Sequence, residues 1–505
     1  MKRLFGLIVL VCAAATLAGS ARAGISFGVS EDRARGTGDQ AASFFSTLNQ
    51  LGISENRASI SWDPAQPDAI PGQDGIANWL PYAQGAGVRI VFSLAAKNPR
   101  DLTDDPGRVA QFAAWVAHVA QTFPQVKDYV IGNEPNQPYF WQPQFDQVTG
   151  KPLSAAAYEP VLAQSYDALK AVDPTINVIG IGLSPRGNDN PFAKNNISRS
   201  PVRFLHDLGV AYRASGRAKP LMDELAYHPY PAKNTDPPAL GYAWPNAGLP
   251  NLDRLKQAVW DAFNGTAQPT FAEAYRDSFA QPLRLELDEL GWQVAIQSGL
   301  AAMYFGTENV PTIDEPTQAQ YYTDAITWAE CDPAVASLSL FLLVDEPDLT
   351  RWQSGLERID GSQRPSFGAV QHAIAQTHGD CPGTPATWVH TAQVILPSVN
   401  WGNLSRPRSR RTTRWSFVAG AREEAAFKAG IFKGGTSRAT IARALSKGRP
   451  KPVLAAAGLI KAKNRVVRFP SRRLKPGRYV FAIRIQATMN TRRTTQLVSR
   501  VFRVR

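Results

Sequence analysis

Short apolar runs alternate with amphipathic stretches along most of the chain. The runs have the length of buried strands, and the stretches between them repeat their apolar residues with helical spacing. Eight strands are predicted, at residues 25–29, 57–62, 88–94, 129–131, 176–181, 224–227, 283–287 and 338–344. Strands that alternate with helices form parallel sheets through right-handed crossovers, and eight such units close into a barrel. We therefore predict an α/β fold, a (β/α)8 TIM barrel over residues 24–380.

The pattern changes at residues 382–385, a Pro-Gly-Thr-Pro segment typical of a domain exit. Apolar and polar residues then alternate as in strands, for example at 414–418, 465–469 and 478–485. We predict a linker over 381–400 and a basic β-sandwich domain over 401–505. Its closing Leu-Lys-Pro-Gly-Arg-Tyr segment resembles immunoglobulin-like modules appended to exported bacterial proteins.

Charge is distributed unevenly between these two parts. Residues 386–505 contain 27 Lys or Arg but only two acidic residues, Glu423 and Glu424, out of totals of 55 basic and 42 acidic residues. The C-terminal part therefore has a net charge of +25 and the part before it a net charge of −12, which together give the +13 of the whole chain. A strongly basic domain is expected to attract acidic polymers such as cell-wall polyphosphates, acidic polysaccharides or nucleic acid. The alternative is a domain that simply tolerates its charge.

The first residues have the three regions of a secretory signal. Lys2 and Arg3 precede an apolar stretch at 4–17, and Ala21-Arg22-Ala23 fits a cleavage site. We predict a signal peptide over 1–23 and a protein that is secreted or associated with the cell surface. No later stretch has the ~20 apolar residues of a membrane span, so no span is predicted.

Two cysteines remain after removal of that segment, Cys331 and Cys381. In an exported protein such a pair is expected to form a disulfide. A zinc site would need three or four convergent ligands, and the six His residues are scattered. We expect no metal site and no cofactor.

Carboxylates follow two of the predicted strands. Strand four delivers Asn133 and Glu134 to a turn that contains Pro135, and Glu289 follows strand seven. The carboxyl ends of barrel strands form one face, so these carboxyl groups can meet. One carboxyl group that protonates a leaving oxygen and one that attacks or activates water suffice to cleave a glycosidic bond. Glu286 and Asp288 are rival candidates for the second role.

The same residues carry a resemblance. Asn133-Glu134-Pro135, His228-Pro229-Tyr230, Glu289 before Gly291-Trp292, and a later Gly355-Leu356 and Pro365 resemble the retaining glycoside hydrolases of clan A, particularly family 39-like and family 5-like members. The resemblance covers roughly residues 24–375.

Site roles follow from this resemblance. It implies Glu134 as general acid/base, Glu289 as nucleophile, Asn133 as donor to the sugar 2-hydroxyl, Tyr230 as partner of the nucleophile, Arg57 near it and His228 in the sugar subsite. Each could instead be a salt-bridge partner, turn former or packing residue at the barrel rim. Asp288 stands where the family more often has a small polar residue. We expect its side chain to point away from that of Glu289, because strand neighbours face opposite sides.

The chemistry sets further expectations. A general acid needs a raised pKa, whereas Glu289 should stay ionised beside Arg57 and the Tyr230 hydroxyl. The two carboxyl groups should lie about 5–5.5 Å apart for a retaining mechanism and about 6.5–9.5 Å for an inverting one. Trp141 and Trp352 are predicted to stack on sugar rings in the cleft, although either could instead pack in the core.

The sequence thus predicts an exported glycoside hydrolase that cleaves O-glycosidic bonds of a polysaccharide or oligosaccharide by double displacement. Two alternatives stay open. One is a non-catalytic carbohydrate-binding protein, and the other is a surface adhesin that acts through its basic C-terminal module.

Overall fold

Eight parallel strands close into a barrel in the computed structural model, which describes residues 24–33, 35–273, 281–405, 415–470 and 474–504. The strands are β1 (Ser26–Ser30), β2 (Glu55–Trp62), β3 (Arg89–Ala96), β4 (Asp128–Ile131), β5 (Asn177–Leu183), β6 (Glu224–Tyr227), β7 (Arg284–Leu290) and β8 (Val335–Phe341). Each pairs with the next, and β1 pairs with β8 to close the ring. This is the barrel that the sequence predicts. The predicted signal, residues 1–23, lies outside the described residues.

Eight α-helices surround the barrel. They are α1 (Asp39–Leu51), α2 (Gln73–Gly85), α3 (Arg108–Thr122), α4 (Ser154–Val172), α5 (Pro201–Ser215), α6 (Leu252–Phe263), α7 (Glu315–Glu330) and α8 (Pro365–Thr377). Helix α1 shows why they form, since its buried residues recur at helical spacing on one face: Ala41, Phe44, Phe45, Leu48 and Leu51. It ends at Gly52, whose φ of 78° is the left-handed conformation that glycine adopts most easily.

The last barrel strand begins and ends three residues earlier than predicted. The apolar run at 338–344 continues past the end of β8 because Leu342 and Leu343 are buried in the loop that follows it. Apolar character alone therefore placed the end of this strand wrongly. None of the helices in the described residues has the length and apolar composition needed to cross a bilayer.

The amino-terminal end of the barrel contains a buried ionic layer. The guanidinium of Arg89 pairs with Glu55, lies 2.9 Å from Asp128 and lies 3.0 Å from Glu286. Glu286 also accepts a hydrogen bond from Ser337. This layer holds Glu286 near the start of the strands and away from the mouth at their carboxyl ends.

In its described residues, the C-terminal module consists of two antiparallel sheets and one helix. One sheet has the order β13-β10-β9 and the other β12-β11-β14-β15, with β16 paired to β14. The elements are β9 (Ser398–Ser405), β10 (Ser416–Gly420), β11 (Glu424–Lys433), α9 (Arg438–Lys447), β12 (Leu454–Lys461), β13 (Arg465–Arg468), β14 (Gly477–Ala487), β15 (Thr494–Val498) and β16 (Phe502–Val504). Apolar side chains from both sheets share one core, in which the rings of Phe417 and Phe481 lie 4.5 Å apart.

The module is attached to the barrel by buried charges. Arg493 pairs with Glu423 of the module, and its guanidinium lies 3.0 Å from Asp261 at the end of α6. All three side chains are buried. At the start of α5, Arg203 lies 3.2 Å from Glu424. Both acidic residues of the module therefore face the barrel.

A disulfide joins Cys331, at the end of α7, to Cys381, beyond α8, with Cα atoms 4.6 Å apart. This is the pair that the sequence predicts. It closes the segment that carries β8 and α8, the last unit of the barrel.

We expect the double substitution Cys331→Ser/Cys381→Ser to lower the free energy of unfolding. The bridge spans a sequence separation of 50 residues, for which loop entropy gives a loss of about 4 kcal/mol and measured cases give ~2–4 kcal/mol. Urea unfolding of the oxidised wild type and the variant measures the difference. Equal midpoints and slopes would show that the disulfide is dispensable for stability.

Candidate active site

A cleft of 1060 Å³ opens at the carboxyl ends of the barrel strands. Six of the predicted site residues line it: Arg57 on β2, Asn133 and Glu134 after β4, Tyr230 after β6, Glu289 on β7, and Trp352 after β8. His228 lies directly behind them and is fully buried. Residues on or after several strands thus converge on one mouth.

Unusual backbone conformations position Glu134. The chain turns at Gly132, with φ of 93°, and Glu134 itself has φ of 41°. The Glu134 amide donates a hydrogen bond to the Gly182 carbonyl oxygen at 2.8 Å, and on that neighbouring strand Ile181 has φ of 88°. A residue other than glycine in such a conformation costs about 1–3 kcal/mol, and this kind of strain is typical of functional sites.

Glu289 reaches the cleft through an irregularity in β7. The pairing of β7 with β8 shifts register between Leu287 and Leu290, which marks a bulge. As a result Asp288 and Glu289 do not point to opposite faces, and both contact the Arg57 guanidinium at 2.9 Å. The expectation that Asp288 faces away is wrong, because regular alternation ends at the bulge.

His228 bridges the two glutamates. Its Nδ1 lies 2.9 Å from Oε1 of Glu134 and 3.5 Å from Oε2 of Glu289. Both carboxyl groups therefore contact the same imidazole nitrogen.

Asp288 is a buried counter-ion for this histidine. Its Oδ1 lies 3.3 Å from His228 Nε2, and its side chain is 2% exposed. Burial disfavours the charged imidazole, but attraction by Glu289 and Asp288 outweighs it and raises the pKa of His228 to about 10. Burial likewise opposes ionisation of Asp288, yet His228 and Arg57 together lower its pKa. This shift favours the imidazolium form at neutral pH.

Arg57 holds the other side of the site. In addition to its ion pairs with Asp288 and Glu289, it donates hydrogen bonds to Ser30 Oγ at 3.1 Å and to Ser93 Oγ at 2.9 Å. It also donates to the amide oxygen of Asn133 at 2.9 Å. These contacts fix Asn133 with its oxygen toward Arg57, which leaves the amide nitrogen as the free end of that group.

The structure raises the pKa of Glu289, whereas from the sequence we expect this carboxyl group to stay ionised. Burial raises its pKa above the ordinary value, and attraction by His228 and Arg57 offsets only part of the rise. The Tyr230 hydroxyl donates to Glu289 Oε2 at 3.1 Å. Glu289 therefore loses its charge at a higher pH than a free glutamate does.

Aromatic rings line one wall of the cleft. Trp352 lies 4.8 Å from Tyr230, with the two rings inclined by 33°, and Phe341 packs against both. Tyr139 and Phe140 line the opposite part and also border a second cavity of 760 Å³. The two cavities together form a groove across the mouth.

Trp141 does not line this groove. It is 5% exposed and packs edge-on against Tyr158 within the barrel core. Our prediction of a cleft position for Trp141 therefore fails. The sequence Tyr139-Phe140-Trp141 holds three aromatic residues in one loop, and only its three-dimensional path decides which ring turns inward.

Sequence reasoning missed several contributors. Ser30, Ser93 and Phe341 belong to no recognisable motif. The regular alternation of strand residues predicts that Asp288 points away from Glu289, so its contact with Arg57 is not expected from the sequence. Asp345, another carboxylate after a strand, pairs at 2.6 Å with Arg364 and accepts from Tyr304, so its contacts are structural.

Comparisons with known proteins give similar folds only. No family model and no curated protein matches the chain. A family 39 glycoside hydrolase from Bacteroides cellulosilyticus is similar at 16% identity and a TM-score of 0.49, over 88% of this chain and 80% of that one. A β-xylosidase from Caulobacter crescentus follows at 12% and 0.43, over 88% and 96%. A GH5_18 protein from Bifidobacterium longum subsp. infantis gives 13% and 0.47, over 74% and 81%. Such identities are too low to transfer residue roles.

We expect the His228 imidazole to stay protonated between about pH 6 and 8. Because its pKa in the folded state is raised to about 10, its ion pairs stabilise the fold fully below the ordinary pKa of about 6.5. That contribution is lost as pH rises through the folded-state pKa. The substitution Asp288→Asn removes one of its counter-ions and should move this titration toward neutral pH.

Nuclear magnetic resonance of histidine-labelled protein measures this titration, and His228→Gln assigns the signal. Asp324→Asn, at a partly exposed position in α7, is the control and should leave the signal unchanged. An imidazole that titrates near pH 6.5 in the wild type would contradict the ionic arrangement.

Proposed function

We propose that this protein is a glycoside hydrolase that cleaves O-glycosidic bonds of an oligosaccharide or polysaccharide with retention of configuration. The observation that carries the proposal is the bridge of His228 between Glu134 and Glu289 at the cleft. Contact of both carboxyl groups with one imidazole nitrogen supports the close spacing that double displacement requires.

Glu289 is proposed as the nucleophile. Arg57 and the Tyr230 hydroxyl both contact its carboxylate, at 2.9 Å and 3.1 Å. One donor contacts each carboxylate oxygen, which favours the anion and orients the group for attack on an anomeric carbon. The upward pKa shift of Glu289 implies that activity falls at acid pH as this carboxylate takes up a proton.

Glu134 is proposed as the general acid and base. Its side chain is 15% exposed toward the cleft and contacts His228 through one oxygen. The core of the site holds three carboxyl groups, on Glu134, Asp288 and Glu289, and two cations, Arg57 and His228. Of these three carboxyl groups Glu134 is the most exposed to the cleft, so it is the one best placed to reach a leaving glycosidic oxygen.

The reaction then proceeds in two displacements. Glu289 attacks the anomeric carbon while Glu134 gives its proton to the leaving glycosidic oxygen, which yields a glycosyl-enzyme ester and a free hydroxyl. Glu134, now a carboxylate, takes a proton from water as that water attacks the same carbon. The ester bond to Glu289 breaks, and Glu134 is protonated again.

Neighbouring groups support substrate binding. With its oxygen held by Arg57, Asn133 presents its amide nitrogen as a donor for the sugar 2-hydroxyl. The Trp352 ring and the groove across the mouth suit a chain of several sugars.

We also propose export and a binding role for the C-terminal module. The sequence pattern of residues 1–23 and the disulfide support export. The two sheets around one core support an immunoglobulin-like sandwich, and the +25 charge supports binding to acidic polymers. If the signal is cleaved after Ala23, protein from the culture medium should begin at Gly24; an uncleaved or retained chain would overturn this part.

Glu134→Gln and Glu289→Gln should each remove most turnover, by at least about 10²-fold, because each deletes a proton-transfer or nucleophilic role and conserves shape. Glu346→Gln is the matched control, since this carboxylate lines the same cleft but pairs with Arg33. Release of reducing sugar from a panel of polysaccharides measures turnover. Near wild-type rates in either glutamine variant would remove that residue from its role.

The anomeric configuration of the first product distinguishes double displacement from an inverting mechanism. Proton magnetic resonance of the first-formed product should show the anomeric configuration of the substrate. With an aryl glycoside whose leaving group needs no proton, azide should restore turnover to Glu134→Ala with retained configuration, because the glycosyl-enzyme still forms. A product of inverted configuration from the wild type would exclude double displacement, and no turnover on any glycan would favour a carbohydrate-binding protein or adhesin.

A further inference from the structure

The module's outer sheet face is divided into a covered half and an open half. Helix α9 packs on the half formed around Phe432, Val480 and Ala482. The other half continues along β11 toward the barrel, through Lys428 and Ala426. This open half is the basic face, defined by Ala426, Lys428, Ala457, Leu459, Arg484, Gln486, Thr494 and Gln496.

Two cations stand side by side on the basic face. Lys428 on β11 is directly opposite Arg484 on β14, so their side chains share one side of the sheet. Like charges at directly opposed positions destabilise a sheet. Within the described residues, neither side chain has a carboxylate at ion-pair distance, and the module has no carboxylate to spare because Glu423 and Glu424 face the barrel.

One contact of the module with the barrel lies at the cleft end. Glu424, on the same side of β11 as Lys428, contacts Arg203 in the first turn of α5. Barrel helices run opposite to their strands, so the start of α5 is level with the mouth. Consistent with this, Asn136 in the loop after β4 donates to the carbonyl oxygen of Arg199, just before α5. Lys428 is four strand residues, roughly 13 Å, from that contact.

The geometry points to the basic face as a binding site for an anionic polysaccharide, which it holds at the side of the barrel. This inference rests on the proposed glycosidase function. Carboxylate or sulfate groups of a polysaccharide would pair with Lys428 and Arg484, and its hydroxyls would meet Gln486, Gln496 and Thr494. Among the described residues of this face none is aromatic, so it has no platform on which nucleic-acid bases could stack.

The test uses the full-length protein on immobilised polygalacturonate, with immobilised dextran as the neutral control and immobilised oligothymidine as the nucleic-acid arm. Lys428→Gln/Arg484→Gln removes both cations of the face. Arg468→Gln/Lys475→Gln is the matched control, because it removes the same charge from exposed positions outside the face. Each protein is eluted with a salt gradient, since counterion release makes polyanion binding salt-dependent.

We expect the wild type and the control variant to be retained by polygalacturonate and not by dextran. The face variant should bind about tenfold more weakly at low salt and elute earlier. All three should turn over a short soluble glycoside at the same rate. If the wild type does not turn over this glycoside but is retained by polygalacturonate, the glycosidase proposal fails and the binding inference does not.

Three results would overturn the inference. They are no retention of the wild type at low salt, equal elution shifts in the face and control variants, and stronger retention by oligothymidine than by polygalacturonate at the same salt concentration. The second result would show that total charge, rather than this face, governs binding.

Discussion

A buried cluster of ion pairs at the barrel mouth determines the arrangement of the rest of the site. His228 and Arg57 are removed from solvent, and burial of an uncompensated charge is costly. Three carboxyl groups surround them, so each cation has partners and each carboxylate is oriented. Removing any one member would leave a buried charge with fewer partners than it has in this structure.

The backbone is adapted to this cluster. The bulge in β7 brings Glu289 to Arg57, and the positive φ of Glu134 brings its side chain to His228. Both features cost conformational energy locally. The ion pairs and hydrogen bonds of the cluster offset that cost, and the site is held in the geometry that the chemistry needs before any sugar binds.

Much of this arrangement follows from sequence pattern, and the exceptions have physical reasons. Apolar periodicity predicts the barrel because each strand is buried on both faces, and motifs at strand ends predict the convergence of Glu134, His228 and Glu289. The end of β8 was misplaced because Leu342 and Leu343 are buried outside any strand. The partnership of Asp288 depends on a bulge, and the burial of Trp141 depends on the path of a loop; neither feature has a periodic signal.

The docking of the C-terminal module has a consequence for how long a substrate must be. Arg493 and Arg203 hold the module to the barrel through ion pairs, so the two parts keep a set spacing. If a polymer occupies both, its second contact forms at a high effective concentration, and avidity exceeds either affinity. A fragment too short to span both parts gains nothing. Cleavage into such short fragments would therefore speed the release of the fragments, while longer chains would stay bound.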